Sequence, residues 1–392
     1  MTIRWASYPV NPDWDNTLRR AAEQFSAEHP TIDVQIEFAG DHWDRIRVQY
    51  AAGSAPDVVL LNFNWLPAAV EQGMLVDLLP YFERDGINMN DYFPISFADW
   101  TLGGGLYAGI LYWGGEAFFY NRDLFDAAGV PYVDLGWDWA TMLDAARVLT
   151  RDTNGDGIPD QWGIHVVDKS AHFTSGSFIR GAGGEVLNEA RDESLLNMPE
   201  AAMALEFLAA LEHEHGVAVP TGTPGDVASF QLGNVGMAFH GTWTAAIYRQ
   251  AGLNWAYGYP PAGPVRRNVQ VGSNAWGIIS NTEHPEEAWE FMKWLIGEGG
   301  QKAIGTLGIP GLRSVAFSPE YLAPWVDHDL PTYLDSVQNW GHDYYPTVDW
   351  GEWGVAFNNA MAPAWRGEAA VRSALEQAHQ AINAIFASRG QM

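Results

Sequence analysis

Between Asp152 and Gly163 the chain reads DTNGDGIPDQWG, and the spacing of its oxygens could hold a cation. Asp152, Asn154, Asp156 and Asp160 fall at alternating positions, Ile158 can lend a backbone carbonyl, and Gly157 allows the sharp turn that a calcium loop needs. The same residues also read as a plain helix-to-strand turn. Asp and Asn side chains bond their own backbone in such turns, and Gly155 and Gly157 accept positive φ. Gly163 stands where a loop of the helix–loop–helix class carries its bidentate Glu, and a strand, not a helix, is expected next. A bound Ca²⁺ would therefore brace the local fold without reading out a calcium signal. No cofactor is otherwise required.

Catalytic chemistry has little to stand on. The chain has no G-x-S-x-G elbow, no H-E-x-x-H and no phosphate-binding loop. LGGGLYAG is glycine-rich, but an extended segment follows it, so a hairpin is expected. His213 and His215 are two apart on a helix end and do not share a face, which disfavours a metal pair. A glycoside hydrolase working through two carboxylates is the rival reading from another class, because this acidic chain offers many such pairs.

The composition narrows the partners. With 48 acidic residues against 21 Lys and Arg, the formal charge is −27, a field that repels nucleic acid and anionic lipid. Cys is absent, which removes disulfides, thiolate zinc sites and thiol nucleophiles. No run is apolar for long enough to cross a bilayer, and MTIRWASYPV lacks the features of a signal peptide. The lack of Cys fits a chain whose leader and lipid-bearing Cys have been removed. The 19 Trp and 15 Tyr stand out, since flat amphipathic rings suit the C–H faces of sugars.

The elements that must position these groups alternate from the start. TIRWASY is strand-like, and Asn11-Pro12 caps a helix carrying Leu18, Ala21, Ala22 and Phe25 at helical spacing. Ile32, Val34, Ile36 and Phe38 alternate as a strand, a helix runs from about Trp43 to Ala52, and PDVVLLN is a short buried strand. This βαβαβ order predicts an open α/β sheet. Further on, helices are expected over 138–150, 200–211, 285–295 and 368–386, with strands at WGIHVV, VGMAFHG and NVQVGSNAWGIIS. No floppy linker separates the halves, so ordered strands are expected to carry the chain between two domains.

Four segments, taken in order, resemble the extracellular solute-binding proteins of bacterial ABC importers, in the maltose-binding class. They are APDVVLLNFNWLPAAVEQGMLVDL, LYAGILYWGGEAFFYNRDLFDAAGV, SFQLGNVGMAFHGTWTAAIYR and VGSNAWGIISNTEHPEEAWEFMKWL. The resemblance implies a periplasmic-binding-protein-like fold: two α/β lobes joined by hinge strands, with a ligand held in the cleft between them. Three crossings are placed near Trp113, Pro264 and Gly311, giving one lobe from residues 1–112 and 265–311 and another from 113–264 and 312–392.

The same resemblance implies capture of a mono- or oligosaccharide and its delivery to the membrane permease of an ABC importer. The protein would be a monomer, periplasmic or extracellular, and lipid-anchored in its unprocessed form. A polyol, a peptide or a glycerol phosphodiester is the alternative solute. Carried over position by position, the ligand residues are Ser7 and Tyr8 after the first strand, Asp41 at the second helix, and Asn64 and Trp65 after PDVVLL. Trp113 and Glu116 lie in the first crossing, Trp243 in HGTW, and Ser273 and Asn274 in the fourth segment. Arg313 follows the last crossing, and Trp350 and Glu352 come from VDWGEW. Each Trp could instead be core and each polar group solvated surface.

Overall fold

The computed structural model describes residues 1–389. Its strands, in chain order, are β1 (Thr2–Ser7), β2 (Asp33–Phe38), β3 (Val58–Asn62), β4 (Thr101–Leu102), β5 (Gly105–Leu106), β6 (Gly109–Asn121), β7 (Trp162–Val166), β8 (Val235–Gly241), β9 (Trp255–Gly258), β10 (Val269–Ile278) and β11 (Gly341–His342). The chain divides into two compact lobes. The first comprises Met1–Gly114 and Gly272–Ala323, and the second Gly115–Val271 and Pro324–Met392.

In the first lobe β1 lies between β2 and β3, parallel to both, with Thr2 opposite Asp33 and Trp5 opposite Val58. The far half of β10 pairs antiparallel with β3, setting Asn274 opposite Asn62. Helix Pro12–Glu28 begins as its sequence predicts: Pro12 occupies its first turn, and Asn11 accepts a hydrogen bond from the Trp14 N–H. Its buried face, Leu18, Ala21, Ala22 and Phe25, continues into an aromatic core where Trp5 meets Trp276 and Phe291 edge-on at 4.7 and 5.0 Å. The glycine-rich stretch is a hairpin: β4 and β5 pair antiparallel across Gly103 and Gly104, both at positive φ.

In the second lobe β6 pairs antiparallel with β8 and β9, and β7 runs parallel to β8. The near half of β10 pairs with β11. Helices Trp139–Leu149, Pro199–His213, Trp350–Trp365 and Val371–Arg389 cover this sheet with one apolar cluster that includes Met142, Leu205, Trp353 and Ile382.

The chain passes between lobes at Gly114–Gly115, inside β6, at Val271–Gly272, inside β10, and at Ala323–Pro324. Two of these points lie away from the residues expected to mark them. Around Pro264 the backbone is tied to the second lobe, since the Val265 and Arg266 N–H groups donate to the Gly181 carbonyl. Gly311 is held in the first lobe, donating to Gln301 Oε1 and accepting from the Phe93 N–H, so the chain leaves only after helix Pro319–Leu322.

Candidate functional site

Each lobe carries a cavity at the carboxyl ends of its parallel strands, the end at which open α/β sheets present ligand groups. In the first lobe a cavity of about 520 Å³ is lined by Tyr8 and Pro9 after β1, by Gly40–Asp44 after β2, and by Asn62 and Trp65 at the end of β3. Its aromatic rings hold one another. Trp65 stacks on Trp43 with centroids 5.2 Å apart and planes 3° from parallel, and Tyr8 stands edge-on to Trp65 at 6.3 Å.

Hydrogen bonds fix the rest of this wall. Asn274 Nδ2 donates to the Tyr8 and Tyr112 hydroxyls, at 3.3 and 2.7 Å, while its Oδ1 accepts from Asn62 Nδ2 at 3.1 Å. His42 Nε2 lies 2.8 Å from the Leu60 carbonyl, which makes it the donor; burial holds this imidazole below its ordinary pKa and therefore neutral. Burial likewise raises the pKa of the Tyr8 phenol.

In the second lobe a cavity of about 450 Å³ is lined by Val167–Ser170 after β7, His240 and Trp243 at the end of β8, and by Phe173, Asn358 and Trp365. Trp243 is 64% exposed, a large apolar surface left to solvent beside a polar cavity. Its indole folds back over Gly241, where an added Cβ would collide with the ring, so the glycine is what permits this pose. Phe173 lies 5.8 Å from it at 45°.

Burial lowers His240 to about 4, leaving a neutral ring whose Nδ1 meets the Tyr248 hydroxyl at 2.7 Å. Lys169 is held by Glu212 Oε2 at 3.2 Å and Thr221 Oγ1 at 2.8 Å. Asp168 Oδ1 accepts the Ser170 N–H at 2.9 Å.

Of the residues singled out from sequence, the first cavity gathers Tyr8, Asp41 and Trp65, and the second gathers Trp243. Asn274 stands behind the first cavity and orients its wall. Asn64 adjoins Trp65, with its N–H 3.4 Å from Asn62 Oδ1. Ser7 is fully buried, its hydroxyl donating to the Tyr8 carbonyl and accepting from Trp14 Nε1. Ser273 is buried between Trp100 Nε1 and Asp99 Oδ2. Trp113 is core, edge-on to Phe93 at 4.9 Å.

Arg313 donates to the Asn90 carbonyl at 2.7 Å, outside the cavity lining. Trp350 is half-buried against His172, 4.6 Å away, with its Nε1 on the Tyr344 carbonyl, and Glu352 is exposed in the first turn of its helix. Neither lines the second cavity. Glu116 lies opposite Gly241 in the β6–β8 pair and is almost wholly buried. One oxygen accepts from Ser177 Oγ. Burial pushes its carboxyl up to about 7, with Asp168 adding to the effect and the Ser177 and Thr174 hydroxyls opposing it.

Sequence reasoning missed Trp43, Asn62, Asp168, Phe173, His240 and Trp365. Two of these carried a signal: Asn62 ends PDVVLLN, and Asp168 follows WGIHVV, so the carboxyl-end rule applied to both strands would have reached them.

The loop from Asp152 to Asp160 is bonded to itself. Asp152 accepts from the Gly155 and Gly157 N–H groups at 2.6 and 2.7 Å, Asn154 from Asp156 at 2.9 Å, and Asp156 from Ile158 at 2.8 Å. Asp160 takes the Thr153 N–H and hydroxyl, which lowers the pKa of its carboxyl. Among the described residues no group of three or more His, Cys, Asp or Glu is placed to hold a metal ion, and no helix is long and apolar enough to cross a membrane.

Comparison with known proteins places the chain. Residues 9–302 match the family model of the bacterial extracellular solute-binding proteins. A binding protein of Brucella abortus (strain 2308) is 26% identical over 311 residues, 75% of this chain and 71% of that protein. The maltotriose-binding protein of Pyrococcus abyssi is 22% identical over 79% of this chain and 67% of its own length. The sugar-binding protein of Xanthomonas citri shares the fold with a TM-score of 0.86 at 20% identity, covering 100% of this chain and 98% of that one. The cyclic α-maltosyl-1,6-maltose binding protein of Arthrobacter globiformis does so at 0.83 and 20% identity, covering 99% of each chain. The periplasmic-binding-protein-like fold and the family-model match agree: the chain belongs to the bacterial extracellular solute-binding protein family.

Proposed function

We propose that the protein captures a mono- or oligosaccharide and delivers it to the permease of an ABC importer. The observation that carries this is Trp243, an exposed indole folded over a glycine at the rim of a polar cavity. Such a ring covers the C–H face of a sugar, while Asp168, Ser170 and Asn358 supply donors and acceptors for its hydroxyls. In the first lobe the same pairing recurs, with Tyr8, Trp43 and Trp65 beside Asp41 and Asn62. The similar proteins of Pyrococcus abyssi and Arthrobacter globiformis are named for binding maltotriose and cyclic maltosyl-maltose, which supports a carbohydrate over a polyol, peptide or phosphodiester.

The protein acts as a monomer in the periplasm or outside the cell, held there by a lipid in its unprocessed form. It returns its sugar unchanged, so it is a binder and not a hydrolase. The Asp152–Asp160 loop is a self-bonded turn that works without calcium. A calorimetric screen of common mono- and oligosaccharides tests the reading. Micromolar affinity, about −8 kcal/mol, for at least one sugar is expected, with no release of reducing ends. Silence toward every carbohydrate, or steady turnover of one, overturns it.

A further inference from the structure

The charges around the two cavities are one-sided, and this bears on which saccharides can enter. In the first lobe Asp41 and Asp44 line the cavity, and no Lys or Arg among the described residues does so. Asp44 is matched by Arg47 at 2.5 Å, and the nearby Arg45 is taken by Glu37 at 3.1 Å. Asp41 precedes helix His42–Ala51 without capping it, so its carboxylate is exposed and uncommitted.

Among the described residues that line the second-lobe cavity, Lys169 is the one cation. Its ammonium is tied to Glu212 and Thr221 and sits 5.5 Å from the centre of the Trp365 ring. An anion could reach it only by competing with Glu212. Asp168, beside it, is in no ion pair among the described residues and has one oxygen committed to the Ser170 N–H. The His240 ring is neutral and adds no positive charge.

We propose, resting on the carbohydrate reading above, that the binding site rejects acidic saccharides such as uronates and sugar phosphates, with Asp168 and Asp41 as the residues that set this selectivity. A carboxylate or phosphate on the ligand would meet a fixed like charge in each cavity, with no free guanidinium or ammonium to receive it. Neutral hydroxyls meet the same carboxylates as acceptors. An amino sugar gains twice over, through the carboxylate and through the aromatic faces that attract a cation.

The test is a calorimetric titration of maltotriose, cellotriose and mannotriose against their C6-oxidised uronate forms, in low and in high salt. A neutral trisaccharide should bind, and its uronate should bind at least tenfold more weakly in low salt, with the gap narrowing at high salt. Asp168→Asn and Asp41→Asn should each narrow the ratio of neutral to acidic affinity. The amide preserves shape and the Ser170 contact, so the ratio and not the affinity is the readout. A uronate that binds as tightly as its parent, or a ratio unmoved by both substitutions, overturns the selectivity and leaves the carbohydrate reading standing. No binding by any neutral or acidic saccharide overturns that reading and the selectivity with it.

Discussion

Trp65 and Trp243 sit at matching places in their lobes, each just past the carboxyl end of a buried strand, yet they are held in opposite ways. Trp65 is clasped: it stacks on Trp43, meets Tyr8 edge-on and lies 6.0 Å from His42, while Asn274 fixes the Tyr8 hydroxyl behind it. Trp243 lies over Gly241, neighbours Phe173 and leaves most of its surface to solvent. In the first lobe, then, the cavity wall is an interlocked, half-buried aromatic cluster, and in the second the exposed ring is an addition to a core that stands without it. Substitutions should separate affinity from stability in one lobe and fail to separate them in the other.

The largest effect is expected at Trp65. Trp65→Ala removes a stacked ring pair and a half-buried indole, worth together about 3 kcal/mol of folding free energy, as well as the sugar contact proposed for this ring. Urea melts and calorimetry should both register it. Normal stability with lost affinity would show that the clasp is not structural.

Next is Glu116, whose raised carboxyl contributes a pH dependence opposite in sign to that of the buried, lowered imidazoles of His42 and His240. Its carboxyl is raised from an ordinary 4.5 to about 7 by burial. Below pH 4.5 the folded and unfolded chains both hold the proton. Between the two values only the folded chain holds it, so the contribution of Glu116 to stability falls as pH rises and levels off above 7. The loss is of order 1.4 kcal/mol per unit, about 3 kcal/mol in all. The stability of the parent relative to Glu116→Gln should fall as pH rises through 5, 6 and 7.5 in denaturant melts, because the buried histidines contribute equally to both profiles. Parallel profiles for the two proteins would mean that Glu116 is ionised in the folded state.

Trp243→Ala should weaken sugar binding at least tenfold, about 2 kcal/mol, and leave the melt unchanged. Trp243→Phe keeps a ring face and should keep part of the affinity. Gly241→Ala should mimic the loss, because the new methyl group displaces the indole. A much lower melting temperature in Trp243→Ala would make the ring core and reverse the contrast between the lobes.

How much of this was legible depends on the range of the interaction. The βαβαβ opening, the capped first helix and the glycine hairpin follow from spacing within a few residues, and they formed as read. Tyr8, Trp65 and Trp243 could be found because each follows a strand directly. Ser7 ends β1, while Trp113, Glu116 and Ser273 lie inside β6 and β10; all four turn inward, and their partners Trp14, Phe93, Ser177 and Asp99 are named only by the folded chain. Trp365 reaches the second cavity from a distant helix, which no local pattern reports.

The smallest effect concerns the loop that first suggested a metal. A calcium ion there would need the oxygens of Asp152, Asn154, Asp156 and Asp160, but each of those side chains already accepts a hydrogen bond within the loop. Drawing Asp152 onto a cation would strip the Gly155 and Gly157 N–H groups of their acceptor. The loop is exposed, so water could take their place at modest cost, and the net gain from the ion is correspondingly small. Millimolar calcium and excess chelator should therefore give the same melting temperature. Asp152→Ala should cost about 1 kcal/mol through the lost turn bonds, equally with and without calcium. A calcium-dependent rise in melting temperature that vanishes in Asp152→Ala would instead make the loop a metal brace, and would give the second lobe a support that the first does not have.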